Sequence, residues 1–105
     1  MSFKFEIKDS ILVFRFGGDE FGASDVDQLR ALLKKQEPQN CFINLKTPEV
    51  IEDPEELEAV QDEWFEEGHA MVFIMRGAHH FLFSEECIMV ESHQEALDWL
   101  SENEE

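Results

Sequence analysis

The residue types best able to do chemistry are two cysteines and a set of histidines and carboxylates in the second half of the chain. Cys41 and Cys87 each fall in a predicted apolar strand, where burial raises the pKa of a thiol and leaves it unreactive. Adjacent histidines point to opposite faces of a strand, or about 100° apart on a helix, so they seldom bind one metal together. Because neither an HExxH motif nor paired CxxC motifs occur, we expect no metal site from the ligand types present, which are His79, His80, Glu85, Glu86, Cys87 and His93.

The serines and the glycine-rich segment do not suggest catalysis either. Ser10, Ser24 and Ser92 occupy predicted turn or capping positions, which is a structural use of serine. Residues 17–22, GGDEFG, lack the GxGxxG spacing of nucleotide-binding loops, and their two acids would repel a phosphate. Carboxylates are abundant, but no pair is singled out as an acid and a base. The sequence therefore predicts a protein that is not an enzyme and uses no cofactor.

Carboxylates are concentrated on the predicted second helix, which carries seven acids and no base over residues 55–67. Acids in its first turn suit the positive end of the helix dipole, whereas those in its last turn do not. Glu63 and Glu67 also repel each other at i,i+4 spacing. Two interpretations stay open: a docking face for a basic partner, or a solvated surface that only keeps the chain soluble.

The charge of the whole chain limits its partners. Formal net charge is −17, and residues 53–105 hold 16 acids and a single base, Arg76. Such a surface repels nucleic-acid phosphates and anionic lipid, so we expect a protein partner with a basic surface, no direct nucleic-acid binding and no membrane binding. The alternatives are an acidic mimic of nucleic acid that blocks a DNA- or RNA-binding protein, and a small-ligand-binding domain.

The elements that position these residues begin with a β-hairpin. Phe3, Phe5 and Ile7 alternate with charged residues, residues 9–10 supply a turn, and residues 11–16 form a second strand. The three glycines of the loop at 17–22 permit positive φ. Its Phe21 is interpreted either as a plug for the core or as an exposed anchor for a partner.

The first helix follows this loop. Ser24 and Asp27 resemble a capping box, and the helix has one apolar face formed by Val26, Leu29, Leu32 and Leu33. Residues 41–45 are typical of a short buried strand.

The second helix has the clearest start signal, with Asp53 as N-cap, Pro54 at the first helical position and Glu56 able to close a capping box. Gly68 marks its end. Residues 70–75 predict a central strand and residues 87–90 another, whereas residues 76–86 are compatible with either a helical turn or a short strand. Ser92 and Glu95 form a capping box for the last helix.

This order predicts an α/β fold in which an antiparallel hairpin is followed by parallel strands in one mixed sheet, with helices packed on it. We expect one domain over residues 1–100 and an acidic tail over residues 101–105 that frays. The chain has no apolar h-region at its start and no apolar run near the ~20 residues of a membrane helix. A cytoplasmic protein is therefore expected.

In its order of elements the chain resembles a STAS domain, the fold of bacterial anti-sigma-factor antagonists. The resemblance covers nearly the whole chain and includes the hairpin, residues 29–33, the strand at 41–45 and the ending CIMVESHQEALDWL of residues 87–100. It implies a regulatory protein-interaction module in a bacterial cytoplasm. The usual third full helix is missing, since residues 76–86 leave too little room for one.

The family's motif, Asp-Ser-Ser-Gly at the start of the second helix, falls on residues 52–55. Glu52 stands in place of the Asp and Asp53 in place of the first Ser, while Pro54 replaces the Ser that a partner kinase phosphorylates. Proline has no hydroxyl, so this switch cannot operate here. The sequence predicts a partner-binding surface at the start of the second helix and the adjacent loop, formed by Phe21, Glu52, Asp53, Pro54, Glu55, Glu56 and Glu58.

Overall fold

The computed structural model describes residues 3–103 and contains one five-stranded mixed sheet with the order β1-β2-β4-β6-β7. A second sheet pairs only β3 with β5. The elements are β1 Phe3–Lys8, β2 Ile11–Phe16, β3 Glu20–Phe21, α1 Ala23–Lys34, β4 Cys41–Leu45, β5 Val50–Ile51, α2 Pro54–Glu66, β6 Met71–Met75, a 3₁₀ helix Gly77–Leu82, β7 Met89–Val90 and α3 His93–Asn103.

The predicted fold class is confirmed. β1 and β2 form an antiparallel hairpin, whereas β2, β4, β6 and β7 are mutually parallel neighbours. The hairpin closes through Asp9 and Ser10, which both have positive φ (53° and 66°), as a type I′ turn requires. β6 is buried along its whole length, as expected for a strand covered on both faces.

Helices cover both faces of the sheet. The larger core lies between the sheet and helices α1 and α2, and contains Leu29 and Leu57. The smaller core lies on the opposite face, where Ala96 of α3 packs against Phe42 and Ile74. Alternate residues of β2, β4 and β6 enter the two cores, so the central strands of the sheet are covered on both faces.

Several local predictions are wrong. α1 is capped at Gly22, whose N–H donates to the carboxylate of Asp25 at 3.0 Å, and not by a Ser24–Asp27 box. Among the described glycines only Gly68 has positive φ (93°), so the loop at 17–22 does not use that freedom. Gly68 follows the end of α2, as predicted.

The second half of the chain also differs in detail. Residues 77–82 form the 3₁₀ helix, and Cys87 lies in a turn because the predicted strand is reduced to Met89–Val90. Ser92 Oγ accepts a hydrogen bond from the Glu95 N–H at 3.2 Å, but the Glu95 carboxylate bonds to the N–H of Glu91 instead of Ser92. The expected fraying tail is helical through Asn103, and residues 104–105 lie outside the described part of the chain.

Candidate protein-interaction surface

The predicted binding residues lie at the end of the sheet where the parallel strands terminate. After β4 the chain forms β5 and then enters α2, so the start of α2 lies at this end, beside the small β3–β5 sheet. The N–H of Glu52 donates to the carbonyl of Phe21 at 2.8 Å, which joins the two loops. Asp53 is the N-cap of α2 and Pro54 its first residue, as predicted.

Phe21 is not an exposed anchor. Its side chain is fully buried, and its ring makes T-shaped contacts with Phe16 and Phe3 at centroid distances of 4.9 and 6.1 Å. Pairing of β3 with β5 holds Phe21 beside Ile51 and turns it inward. Of the two interpretations, the core plug is therefore the one that the structure supports.

Glu56 does not close a capping box, since Asp53 makes no side-chain capping hydrogen bond. The Glu56 carboxylate instead lies 3.3 Å from Arg30 of α1, and Glu63 lies 3.2 Å from the same guanidinium. Arg30 thus links the two helices through partly exposed ion pairs, which stabilise little. Its role was not predicted, because its partners are far away in sequence.

Glu58 is also used within the fold. Its carboxylate accepts hydrogen bonds from the backbone N–H of Ser84 at 2.6 Å and from the Ser84 hydroxyl at 3.2 Å. This contact fixes the segment after the 3₁₀ helix against the second turn of α2. The outward face of α2 is left to Glu55, Asp62 and Glu66, which are exposed and recur at helical spacing.

The segment that contains the 3₁₀ helix is fastened at its start as well. Arg76 donates to the carbonyls of Lys46 and Thr47, at 2.8 and 3.2 Å, in the loop after β4. The Nε2 atom of His79 lies 3.0 Å from the carbonyl oxygen of Glu49. Side-chain contacts at the start and at the end of this segment therefore attach it to the neighbouring loop and to α2.

Gln61 secures the far end of the same segment. It is the buried polar residue of α2, and its amide nitrogen donates to the carbonyls of Met71 and Ile88, both at 3.0 Å. Its amide oxygen accepts from the Ile88 N–H at 3.1 Å. Sequence reasoning missed Gln61, although its position on the apolar stripe with Leu57 and Trp64 is the signal that could have found it.

Between these attachments the chain exposes an aromatic side chain. Phe81 is 81% exposed and its neighbour Leu82 is 38% exposed, whereas Phe83 is buried with its ring 6.3 Å from that of Phe73. Val50, 45% exposed, follows Glu49, whose carbonyl contacts His79. The exposed residues Glu85 and Glu86 come next in the chain. We call Phe81, Leu82, Glu85 and Glu86 the Phe81 surface.

Both cysteines are buried. Burial raises the pKa of the Cys41 thiol far above its usual range, and burial, with the charges of Glu58 and Asp62, raises the pKa of Cys87 to about 12. His93 packs edge-on against Phe42 at 5.4 Å. Across residues 3–103, no three His, Cys, Asp or Glu side chains converge in a way that could hold a metal ion.

A shallow groove of about 500 Å³ runs between α1 and α2. Arg30 and Lys34 line one side, Glu63 and Glu67 the other, and Trp64 lies at its base with its indole N–H donating to the Gln39 carbonyl at 2.9 Å. This groove is the candidate place for a small ligand, and the Arg30–Glu63 ion pair already spans it at 3.2 Å.

The sequence was compared with known proteins. No protein-family model matches it, and no curated protein is significantly similar to it. Within residues 3–103, none of the helices has the length and apolar character needed to cross a membrane. The class that the fold defines is thus a small α/β domain with a mixed sheet, helices on both faces and an exposed Phe81 in the segment that follows β6.

Proposed function

We propose that the chain is a non-catalytic protein-interaction module that binds its partner through the Phe81 surface. The observation that carries the proposal is the contrast between the exposure of Phe81 and the fastening of the segment around it. Exposing a phenylalanine to water gains nothing for folding. Aromatic side chains presented on a fixed backbone are the usual anchors of protein interfaces, where they fill a pocket of the partner.

The charges around Phe81 define the chemistry of that partner. Glu85 and Glu86, both exposed, follow the anchor in the chain. A partner with an apolar pocket bordered by Lys or Arg would be complementary, and attraction at the rim would speed its association. The surface would be occupied by a basic protein, and increasing salt would weaken the complex.

The STAS resemblance supports the same class of function. Its implied binding region is the start of α2, which is next to the Phe81 surface because Glu58 bonds to Ser84. Since Pro54 stands at the position of the phosphorylated serine, the proposed module is not switched there by phosphorylation. We propose a regulatory role in a bacterial cytoplasm, controlled by the amount of the protein.

A second candidate, a mimic of nucleic acid, is favoured by one observation. Glu55, Asp62 and Glu66 form a row of carboxylates along the outward face of a rigid helix. A DNA- or RNA-binding partner would then be released by added nucleic acid, and loss of Phe81 would have little effect on it. If the partner instead binds the Phe81 surface, added nucleic acid should not release it, and loss of Phe81 should.

The test is a quantitative pull-down from the host's lysate with the tagged full chain. The wild type is compared with Phe81→Ala and with the matched control Phe65→Ala, which truncates another exposed phenylalanine. We expect Phe81→Ala to reduce recovery of the partner about tenfold or more, as removal of a hot-spot aromatic does. Phe65→Ala should leave recovery unchanged.

Salt provides the second readout of the same experiment. Recovery should fall between low and high ionic strength because the rim charges are exposed. Capture of no protein under either condition, or equal recovery with Phe81→Ala and the wild type, would contradict the proposal.

A further inference from the structure

β1 is the longer of the two edge strands of the main sheet, since β7 at the other edge has only two residues, and the backbone polar groups of β1 point in a definite direction. The Leu12 N–H donates to the Asn40 carbonyl at 2.9 Å, toward β4, so the neighbouring residues Ile11 and Val13 direct their backbone groups toward β1. Val13 lies opposite Glu6, so these two residues form a hydrogen-bonded pair of the antiparallel ladder. The backbone groups of alternate β1 residues, namely Phe3, Phe5 and Ile7, therefore point away from β2, to the outside of the sheet.

The side chains of this edge are unusually apolar for an exposed strand. Phe5 is 49% exposed and Ile7 is 58% exposed. Both lie on the face covered by α1 and α2, because they pair with the core residues Phe14 and Leu12. The ladder runs without a bulge from Phe3 to Lys8. Natural proteins usually protect a long edge strand of this kind from pairing with another chain.

We propose that β1 pairs antiparallel with β1 of a second copy of this chain, about a two-fold axis at Phe5, to form a continuous sheet of two subunits. Phe5 then lies opposite Phe5 of the partner subunit, and Ile7 lies opposite the partner's Phe3. On the other face Lys4 lies opposite the partner's Glu6, and Glu6 opposite the partner's Lys4. All three hydrogen-bonded positions coincide with residues whose backbone groups point outward.

Charge selects this register over its neighbours. A shift by two residues in one direction puts Lys4 opposite the partner's Lys8 and Glu6 opposite the partner's Glu6. The same shift in the other direction puts Lys4 opposite the partner's Lys4. Like charges directly opposite each other destabilise a strand pair. A shift by one residue places the apolar side chains of one strand opposite the charged side chains of the other, on the same face of the sheet.

The hairpin is also a part of the chain through which two such acidic molecules can approach without strong repulsion. Residues 3–16 contain Lys4, Lys8 and Arg15 against Glu6 and Asp9, which is a net charge of +1 in a chain of −17. Residues 53–105, by contrast, hold 16 acids and one base, so an approach through that half of the chain brings like charges together. The second copy is therefore the occupant that this edge fits.

The test is the mass of the full chain in solution by light scattering, at a concentration on the order of 0.1 mM, where interfaces of micromolar affinity are filled. The wild type should have twice the chain mass of 12.3 kDa. Lys4→Glu places Glu opposite the partner's Glu6, and Glu6→Lys places Lys opposite the partner's Lys4. Each single variant should raise the dissociation constant of the dimer at least tenfold.

The double variant Lys4→Glu/Glu6→Lys restores opposite charges, and so does an equimolar mixture of the two single variants. Both should return to the dimer mass. The substituted side chains are exposed, and the ion pair lost with Glu6 is the weak 4.0 Å contact to Arg15, so circular dichroism should show all variants folded. A monomeric wild type, or single variants that remain as dimeric as the wild type, would overturn the proposal.

Discussion

Phe21 and Phe81 both follow a parallel strand at the same end of the sheet, and the two side chains have opposite environments. Phe21 is fully buried between Phe16 and Phe3, although it lies in a segment with glycines and acids on either side. Phe81 is 81% exposed, although it lies in a run of aromatic and apolar residues. The composition of the flanking residues would assign these two environments the other way round.

The difference lies in what each segment pairs with. Residues 20–21 form a short strand with residues 50–51, which directs Phe21 toward the core. Residues 77–82 form a 3₁₀ helix that is attached at both flanks, by Arg76 to Lys46 and by Glu58 to Ser84, and these attachments leave Phe81 on the outside. A fixed backbone that exposes an aromatic is a feature of binding surfaces, whereas a fixed backbone that buries one is a feature of cores.

Replacement of Phe21 with Ala would test the buried half of this comparison and should have the largest effect. Truncation of a fully buried phenylalanine removes its transfer free energy and leaves a cavity, so we expect unfolding free energy to fall by about 3–5 kcal/mol. Urea denaturation followed by circular dichroism measures it. A loss below about 1 kcal/mol would place Phe21 outside the core.

Gln61→Met would test the attachment that ends the exposed segment. Methionine is of similar length but leaves the N–H of Ile88 without its acceptor, and a buried unsatisfied donor costs about 1–3 kcal/mol. We expect the unfolding free energy, measured by urea denaturation, to fall by that amount. Hydrogen exchange at the Ile88 amide should also become faster.

The matched control for this substitution is Gln94→Met. Gln94 bonds only to exposed Asp98 on the same helix, so its replacement should change the unfolding free energy by less than about 0.5 kcal/mol. Equal effects of the two variants would show that Gln61 has no special part in holding β7.

Phe81→Ala should have the smallest effect on stability. The side chain is already in water, so we expect the unfolding free energy to stay within about 0.5 kcal/mol of the wild type. The same urea titration decides it. If Phe81→Ala instead destabilised the chain by more than about 1 kcal/mol, Phe81 would be part of a core and the comparison with Phe21 would fail.

Most of the fold follows from periodic patterns in the sequence. The alternation in residues 3–7, the start at Asp53 and Pro54 and the apolar run before Arg76 placed the hairpin, α2 and β6 correctly. These signals are local and repeat over several residues. The two-residue strands β3 and β5 are too short to show any period. The sequence alone therefore allows both interpretations of Phe21.

The candidate site was predicted less well, for a physical reason. The contacts that build it join distant parts of the chain, such as Arg76 with Lys46 and Glu58 with Ser84. No pattern within one segment reports such partners. The sequence placed the surface near the start of α2, but it selected Phe21 and missed Phe81, since residues 76–86 have no period that assigns an inside and an outside.

Photo-crosslinking from position 81 tests directly whether Phe81 contacts the partner protein. A photoreactive phenylalanine analogue replaces Phe81 in the full chain, and in a control it replaces Ala31, which is exposed on α1. After irradiation in the host's lysate, we expect one covalent adduct with a basic protein from position 81 and none from position 31. The same yield of adducts from both positions, or none from position 81, would contradict it.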